Sequence, residues 1–249
     1  MKSTLRRPLL AFLILLVVWE TAVRWFELES WLLPAPSLIA TEMVEVLPAF
    51  LPHAWATLRL VLIGFSIGTL LGISTGTLLH VSQRIRETIY PFLIVTQNIP
   101  IIVLAPLLMI WFGLGDAPKL MIIAMTSFFP IAISTLTGLQ QTDRDLLHYM
   151  KMSGATAQQL FFKLQLPYAL PSIFSGIKIS ATYSVMTGVV AEWLGAQQGI
   201  GVFMTLAASS YRTPRVFVAI VITILLSISF IAFIQWIERR VIHWNRKVD

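Results

Sequence analysis

The chain has 249 residues, of which 57% are hydrophobic and 12% are charged, with a net charge of +6 and no cysteine. Soluble domains carry roughly 25% charged residues, so this composition excludes an ordinary soluble domain and indicates a membrane protein. The missing cysteines exclude disulfides and thiolate metal sites, and the four histidines are too far apart in the chain to form a metal site. The basic residues flank apolar runs instead of clustering, so we expect a lipid membrane and no nucleic acid as partner.

Six apolar runs predict an all-α, polytopic membrane protein with six transmembrane helices in a single domain, residues 1–249. The predicted spans are residues 8–25, 56–80, 89–112, 119–138, 172–194 and 215–236. The first run is interpreted as an uncleaved span, because cleavage after Ala22 would put Glu20 where a signal peptide needs a small residue. Before the second span, Ser37 is predicted to cap a separate interfacial helix that ends near Leu47.

The second predicted span carries a glycine at every fourth position. These glycines are Gly64, Gly68, Gly72 and Gly76. Such a ridge of small residues lets a neighbouring helix approach closely. The alternative is that the glycines line a pore.

The third predicted span contains three prolines and, near its middle, the amides Gln97 and Asn98. Polar groups at membrane depth are tolerated mainly where they face protein or water. The two amides are therefore candidates for lining the substrate path, or else for an interhelical hydrogen-bond clamp. Glu192 and Trp193, at the end of the fifth span, are further candidates for the path, although Glu192 could equally reach interfacial water.

The loop of residues 139–171 is predicted to form two short helices. Gly154 suits the left-handed cap of the first helix, and Thr156 with Gln159 forms a capping box for the second. The second helix is expected to end near Leu166 because Pro167 follows. Its apolar face requires a surface to pack on, which is either its own bundle or a groove on a partner protein.

Lysine and arginine counts predict the orientation. If the N-terminus is inside, thirteen basic residues lie inside and five lie outside. The inside residues are Lys2, Arg6, Arg7, Arg84, Arg86, Arg144, Lys151, Lys163, Lys178, Arg239, Arg240, Arg246 and Lys247, and the outside residues are Arg24, Arg59, Lys119, Arg212 and Arg215. This asymmetry predicts that both termini and the loop of residues 139–171 are cytoplasmic.

Three stretches resemble ABC importer permeases of the nitrate/sulfonate/taurine-type branch. They are Gly154-Ala155 with the Leu-Pro of residues 166–167, residues 105–115, and residues 191–201. The family's Glu-Ala-Ala positions are occupied here by His148, Tyr149 and Met150, which is a full departure. The resemblance implies a type I ABC importer bundle in a bacterial inner membrane, working as a homodimer with a separate ATPase and an extracytoplasmic binding protein.

By the same resemblance, the loop of residues 139–171 is a coupling loop whose second helix fits a cleft on the ATPase. The implied coupling residues are Gly154, Ala155, Thr156, Leu160, Phe161, Leu164, Leu166 and Pro167. The chain itself would hold no cofactor and no catalytic residue, because ATP would bind the partner subunit. The chain also has no Walker-type phosphate loop.

Three function classes compete. A secondary transporter or channel should carry ionisable residues at mid-membrane, and a membrane enzyme should carry clustered histidines or carboxylates; the sequence shows neither pattern. A permease energised through its cytoplasmic loop fits better. Its sequence looks most similar to permeases for hydroxymethylpyrimidine or formylaminopyrimidine precursors of thiamine, with riboflavin, aliphatic sulfonate, taurine and nitrate as alternatives. An amide pair and a tryptophan suit a neutral aromatic heterocycle, whereas a sulfonate would want cationic partners.

Overall fold

The structure, a computed structural model, describes residues 6–244, apart from the side chains of residues 101 and 102. Within this range the chain is helical and has no strand. The helices are α1 (Arg6–Trp25), α2 (Pro36–Val81), α3 (Gln83–Thr96), α4 (Ile101–Phe112), α5 (Asp116–Gln140), α6 (Arg144–Met152), α7 (Ala157–Leu160), α8 (Leu166–Glu192), α9 (Ile200–Ser209) and α10 (Thr213–Val241). The prediction of an all-α bundle is confirmed. Lys2, Arg246 and Lys247 of the charge count lie outside the described residues.

Five helices of the described residues are long and apolar enough to cross a membrane. They are Arg6–Trp25, Pro36–Val81, Asp116–Gln140, Ala157–Glu192 and Thr213–Val241. The third predicted span is instead two helices, α3 and α4, which separate at residues 97–100. Pro100 has no N–H to continue the helix, and the Asn98 side chain donates to the Ile94 carbonyl at 2.6 Å at the end of α3.

The predicted interfacial helix before the second span is not separate. It is the first part of α2, which runs unbroken for 46 residues through Pro48 and Pro52. Ala35, not Ser37, is the N-cap of this helix. At 1.5 Å per residue the helix is about 70 Å long, more than twice the roughly 30 Å of a bilayer core. A helix of this length is too long to lie wholly within the bilayer core.

The glycine ridge of α2 packs against α5 within the same chain, as predicted for close helix packing. A Cβ placed on Gly76 would lie 2.6 Å from the Thr135 Cβ, and one on Gly72 would lie 2.9 Å from the Ile131 Cβ. These distances leave no space for a side chain. The glycines therefore form an intrachain helix contact instead of a pore lining.

The core of the bundle consists of α2, α5 and α8. Apolar side chains from all three helices form one buried cluster, to which α10 adds Phe230 and Ile234. Small polar residues also join α5 to α8, because the Ser127 and Ser184 hydroxyls lie 2.9 Å apart and the Ser180 hydroxyl donates to the Ser127 carbonyl. Close approach and hydrogen bonds between small residues are how helices associate in lipid, where the hydrophobic effect is absent.

An ion pair joins α8 to α10. The Lys178 Nζ lies 2.8 and 2.9 Å from the two carboxylate oxygens of Glu238. The charge count assigned Lys178 to the cytoplasmic side, but it lies near the middle of α8, where its charge is neutralised across the helix contact. Charged groups within a membrane bundle are tolerated when they are paired in this way.

Candidate functional site

One end of the bundle carries an open cavity of about 820 Å³. It lies between the middle of α2, the start of α5 and the α8–α9 connection. Six of its lining side chains are polar or charged: Arg59, Asp116, Lys119, Glu192, Gln197 and Gln198. We call this the polar cavity. Two of its charged residues are almost fully buried, since Lys119 is 5% exposed and Glu192 is 2% exposed.

Each buried charge has defined partners. Lys119 donates to the Asp116 carboxylate at 3.0 Å, one helical turn away on α5. Glu192 accepts from the Thr57 hydroxyl at 2.7 Å with one oxygen and from the Gly201 N–H at 2.8 Å with the other. Buried ionisable groups are costly unless they are paired or hydrogen-bonded in this manner.

The Glu192 carboxyl group lies at the N-terminus of α9. A negative group is stabilised there by the free N–H groups and the helix dipole. Thr57 contributes a second contact to the same helix end, because its hydroxyl accepts from the Ile200 N–H at 2.8 Å. The His53 Nδ1 lies 3.2 Å from the Gly199 nitrogen and 3.1 Å from the Gly199 carbonyl oxygen, and its tautomer sets which of the two it bonds. Three elements, α2, α8 and α9, are thereby joined at one buried polar cluster.

Two glycines make this cluster possible. A Cβ on Gly199, whose φ is 141°, would collide with the Glu192 carboxyl group. A Cβ on Gly201 would collide with the carbonyl oxygen of Val189 and lie 2.9 Å from the Glu192 Cβ. Glu192, Gly199 and Gly201 therefore act as one unit, which is a physical reason for the sequence pattern of residues 191–201.

The opposite end of the bundle carries α6 and the turn that follows it. Gly154 has a φ of +81°, and the Ala155 N–H donates to the Met150 carbonyl at 3.0 Å, which closes the end of α6. The Thr156 hydroxyl accepts from the Gln159 N–H, and the Gln159 side chain accepts from the Thr156 N–H. Both the left-handed glycine and the capping box are confirmed.

The helix that Thr156 caps does not end at Pro167. A π-helical turn, Phe161–Gln165, follows α7 and leads directly into α8. In this turn the Leu166 N–H donates five residues back, to Phe161. The hydrogen bonds of this wider turn span five residues instead of four. The turn comes just before Pro167, which has no N–H to donate. The predicted break at Pro167 is therefore wrong, and the helix continues to Glu192.

The end of the bundle that carries α6 and α7, which we call the loop end, exposes apolar side chains. They are not the residues that the sequence predicted to contact a partner. Leu160 is 8% exposed, and Phe161 and Leu166 pack against the core cluster of the bundle. The exposed apolar side chains here are Leu146, Tyr149, Met152 and Phe162, with Met152 87% exposed. We call these four residues the loop surface. The apolar face of the helix after Thr156, which was expected to dock on a partner, thus packs largely against the bundle. Most of the exposed apolar side chains belong to α6 instead.

The family comparison decides what kind of protein this is. Residues 68–243 match the family model described as binding-protein-dependent transport system inner membrane component. The chain belongs to this family. It is a multi-pass, inner-membrane permease component of an ABC importer, as the sequence resemblance implied, and not an enzyme.

Curated relatives cover nearly the whole permease. The chain is 35% identical over 96% of its length, and 96% of the relative's, to the formylaminopyrimidine transport permease ThiX of Halalkalibacterium halodurans. It is 32% identical to the riboflavin transport permease RibX of Chloroflexus aurantiacus, over 94% of this chain and 88% of that one. It is 34% identical to the putative aliphatic sulfonates transport permease SsuC of Escherichia coli, over 93% and 89%.

A solved structure supports the fold. The chain superposes on one from an inward-facing form of the MetNI methionine ABC transporter with a TM-score of 0.68 at 20% identity. The match covers 82% of this chain and 99% of that one. The permease therefore has the type I ABC importer fold.

The structure brings together only part of the predicted substrate-path set. Glu192 lines the polar cavity, but its oxygens are bonded within the protein. Trp193 is adjacent and half exposed. Gln97 and Asn98 are exposed at the α3–α4 break and do not line the polar cavity. These two amides lie at a helix break, which hydropathy alone did not reveal.

Sequence reasoning missed most of the polar cavity. The sequence analysis used Arg59 and Lys119 only in the count of basic residues. It used Gln197 and Gln198 only as part of the stretch of residues 191–201. The spacing of Asp116 and Lys119 on one helix could have signalled their ion pair. No local pattern could have placed Arg59 beside them, because it comes from another helix.

Proposed function

We propose that this permease imports a thiamine pyrimidine precursor of the formylaminopyrimidine or hydroxymethylpyrimidine type. The observation that carries this proposal is the 35% identity over almost the full length to a formylaminopyrimidine permease. The polar cavity is consistent with it, because its lining combines two basic, two acidic and two amide side chains and so favours no single charge.

The test is ATP-dependent uptake by the reconstituted complex of permease, ATPase and binding protein. Labelled formylaminopyrimidine should accumulate in proteoliposomes only when ATP and the loaded binding protein are present. Riboflavin, taurine and an alkanesulfonate serve as competitors. If one of these is taken up and the pyrimidine is not, the substrate proposal fails.

An aliphatic sulfonate is the second candidate. The 34% identity to a sulfonate permease supports it, as does Arg59, an exposed guanidinium at the polar cavity. Guanidinium groups bind sulfonate oxygens well. Against it stands the pairing of the second cation, Lys119, with Asp116.

For energy coupling we propose that an ATPase subunit docks at the loop end. The predicted coupling residues Gly154, Ala155 and Thr156 fix the geometry of the turn, and the loop surface supplies exposed apolar contacts. Because α7 leads into α8 without a break, a push on the turn would reach the core of the bundle directly. Leu160, Phe161, Leu164, Leu166 and Pro167 would then transmit movement instead of touching the ATPase.

We further propose a homodimer with both termini cytoplasmic. Helix α1 has one buried residue, Val23, and exposes an apolar surface that lipid or a second permease would cover. The mass of the purified complex tests the dimer. Labelling of single cysteines at Ser82, Asp116, Gln158 and Thr213 tests the orientation, because the chain has no cysteine of its own. Periplasmic labelling at position 158 would contradict it.

A further inference from the structure

We propose that the polar cavity is a cargo-binding site of the permease itself, and that it takes a neutral, planar heterocycle with hydrogen-bonding edges. The inference rests on the function proposed above and deepens it by naming the site and its chemistry. The polar cavity is formed by α2, α5 and the α8–α9 connection, two of which belong to the central core.

The wall of the polar cavity offers hydrogen-bonding groups that the protein does not use. Arg59, Gln197 and Gln198 are exposed on it, and within residues 6–244 none of the three side chains bonds to another residue. A guanidinium presents a planar set of donors, and each carboxamide can both donate and accept. This combination matches ring nitrogens and amino or formyl groups along the edge of a flat heterocycle.

Charge favours a neutral cargo. The lining holds two basic residues, Arg59 and Lys119, against two acidic ones, Asp116 and Glu192. Lys119 is buried and already paired with Asp116 at 3.0 Å. An anion bound at Arg59 would find the second cation, Lys119, already paired and would face both carboxyl groups, whereas a neutral molecule meets no such repulsion.

The floor of the polar cavity is preorganised. Both oxygens of Glu192 are bonded, to Thr57 and to the Gly201 N–H, and this fixes the α8–α9 connection that carries the two glutamines. A fixed floor lowers the entropy lost when a small ligand binds. The site is thus built into the fold and is more than a crevice between mobile loops.

Protection of an engineered cysteine from alkylation tests the proposal. In the purified permease–ATPase complex, Ala56→Cys lies on the wall of the polar cavity, and Ser209→Cys is exposed but does not line it. Formylaminopyrimidine should slow alkylation at position 56 and leave position 209 unchanged. Adding Arg59→Gln should raise the concentration needed for protection by about tenfold, as expected for one lost hydrogen bond to a charged group.

The other possible outcomes distinguish the neutral-cargo assignment, the cavity as the binding site and the proposed transport function. Stronger protection at position 56 by taurine or ethanesulfonate than by the pyrimidine overturns the neutral-cargo assignment. Uptake of the pyrimidine by the full complex without protection at position 56 overturns the cavity as the site and leaves the proposed function standing. Protection without ATP-dependent uptake has the opposite meaning, because it supports the site and contradicts the transport function.

Discussion

Thr57 and Glu192 are 135 residues apart in the chain and share a buried hydrogen bond of 2.7 Å. The same threonine hydroxyl accepts from the Ile200 N–H, so one side chain joins α2 to the end of α8 and to the start of α9. Loss of this hydroxyl would leave both the Glu192 carboxyl oxygen and a helix N–H without their partner. Unpaired buried polar groups cost more than the hydrogen bond itself contributes.

Thr57→Val should therefore destabilise the permease by roughly 1–3 kcal/mol, because it keeps the side-chain shape and removes the hydroxyl. Thermal unfolding in detergent measures the effect. Thr88→Val is the matched control, since Thr88 is exposed and bonds only the preceding turn of its own helix. Equal melting temperatures for the two variants would show that the Glu192 cluster does not hold α9 in place.

Gly76→Ala should destabilise the α2–α5 contact by roughly 1–3 kcal/mol, because a Cβ there would lie 2.6 Å from the Thr135 Cβ. Gly115→Ala makes the same chemical change where nothing lies within 4 Å of the added Cβ. The thermal stability and membrane yield of the two variants give the comparison. A Gly76 variant as stable as the Gly115 variant would contradict tight packing of the ridge.

Tyr149→Asp should weaken ATPase co-purification by at least about tenfold while the permease inserts normally. Tyr149 is 70% exposed on the loop surface, and a carboxylate in an apolar contact is unfavourable. Tyr211→Asp is the matched control, because Tyr211 is 76% exposed in the α9–α10 connection, outside the loop surface. A full-strength complex with the Tyr149 variant would remove the loop surface as the docking site.

Lys178→Glu should destabilise the α8–α10 contact, because it places two carboxylates where a bidentate pair stood at 2.8 and 2.9 Å. A loss of roughly 1–3 kcal/mol is expected for a pair that is largely but not wholly buried. The double variant Lys178→Glu with Glu238→Lys should recover most of the stability. The absence of any rescue in a thermal-unfolding cycle would mean that the pair contributes nothing through charge.

The sequence by itself determined the features that depend on near neighbours. Low charge and long apolar runs defined a helical membrane protein. Gly154 at the end of α6 and the capping box at Thr156 were also correct, because both are set by residues within about four positions. The close packing of the glycine ridge of α2 was predicted for the same reason, since residues four positions apart lie on one face of a helix.

The tertiary structure alone decided which breaks are real and which distant groups meet. The sequence predicted helix ends near Leu47 and near Leu166, yet both helices continue, the second through a π-helical turn just before Pro167, whereas the break before Pro100 is real. Burial also decided between the two surfaces that the sequence left open for the helix after Thr156, because Leu160 packs against its own bundle. The polar cavity and the Thr57–Glu192 bond arise only from helix packing, because no local pattern records which faces of α2, α5 and α8 will meet.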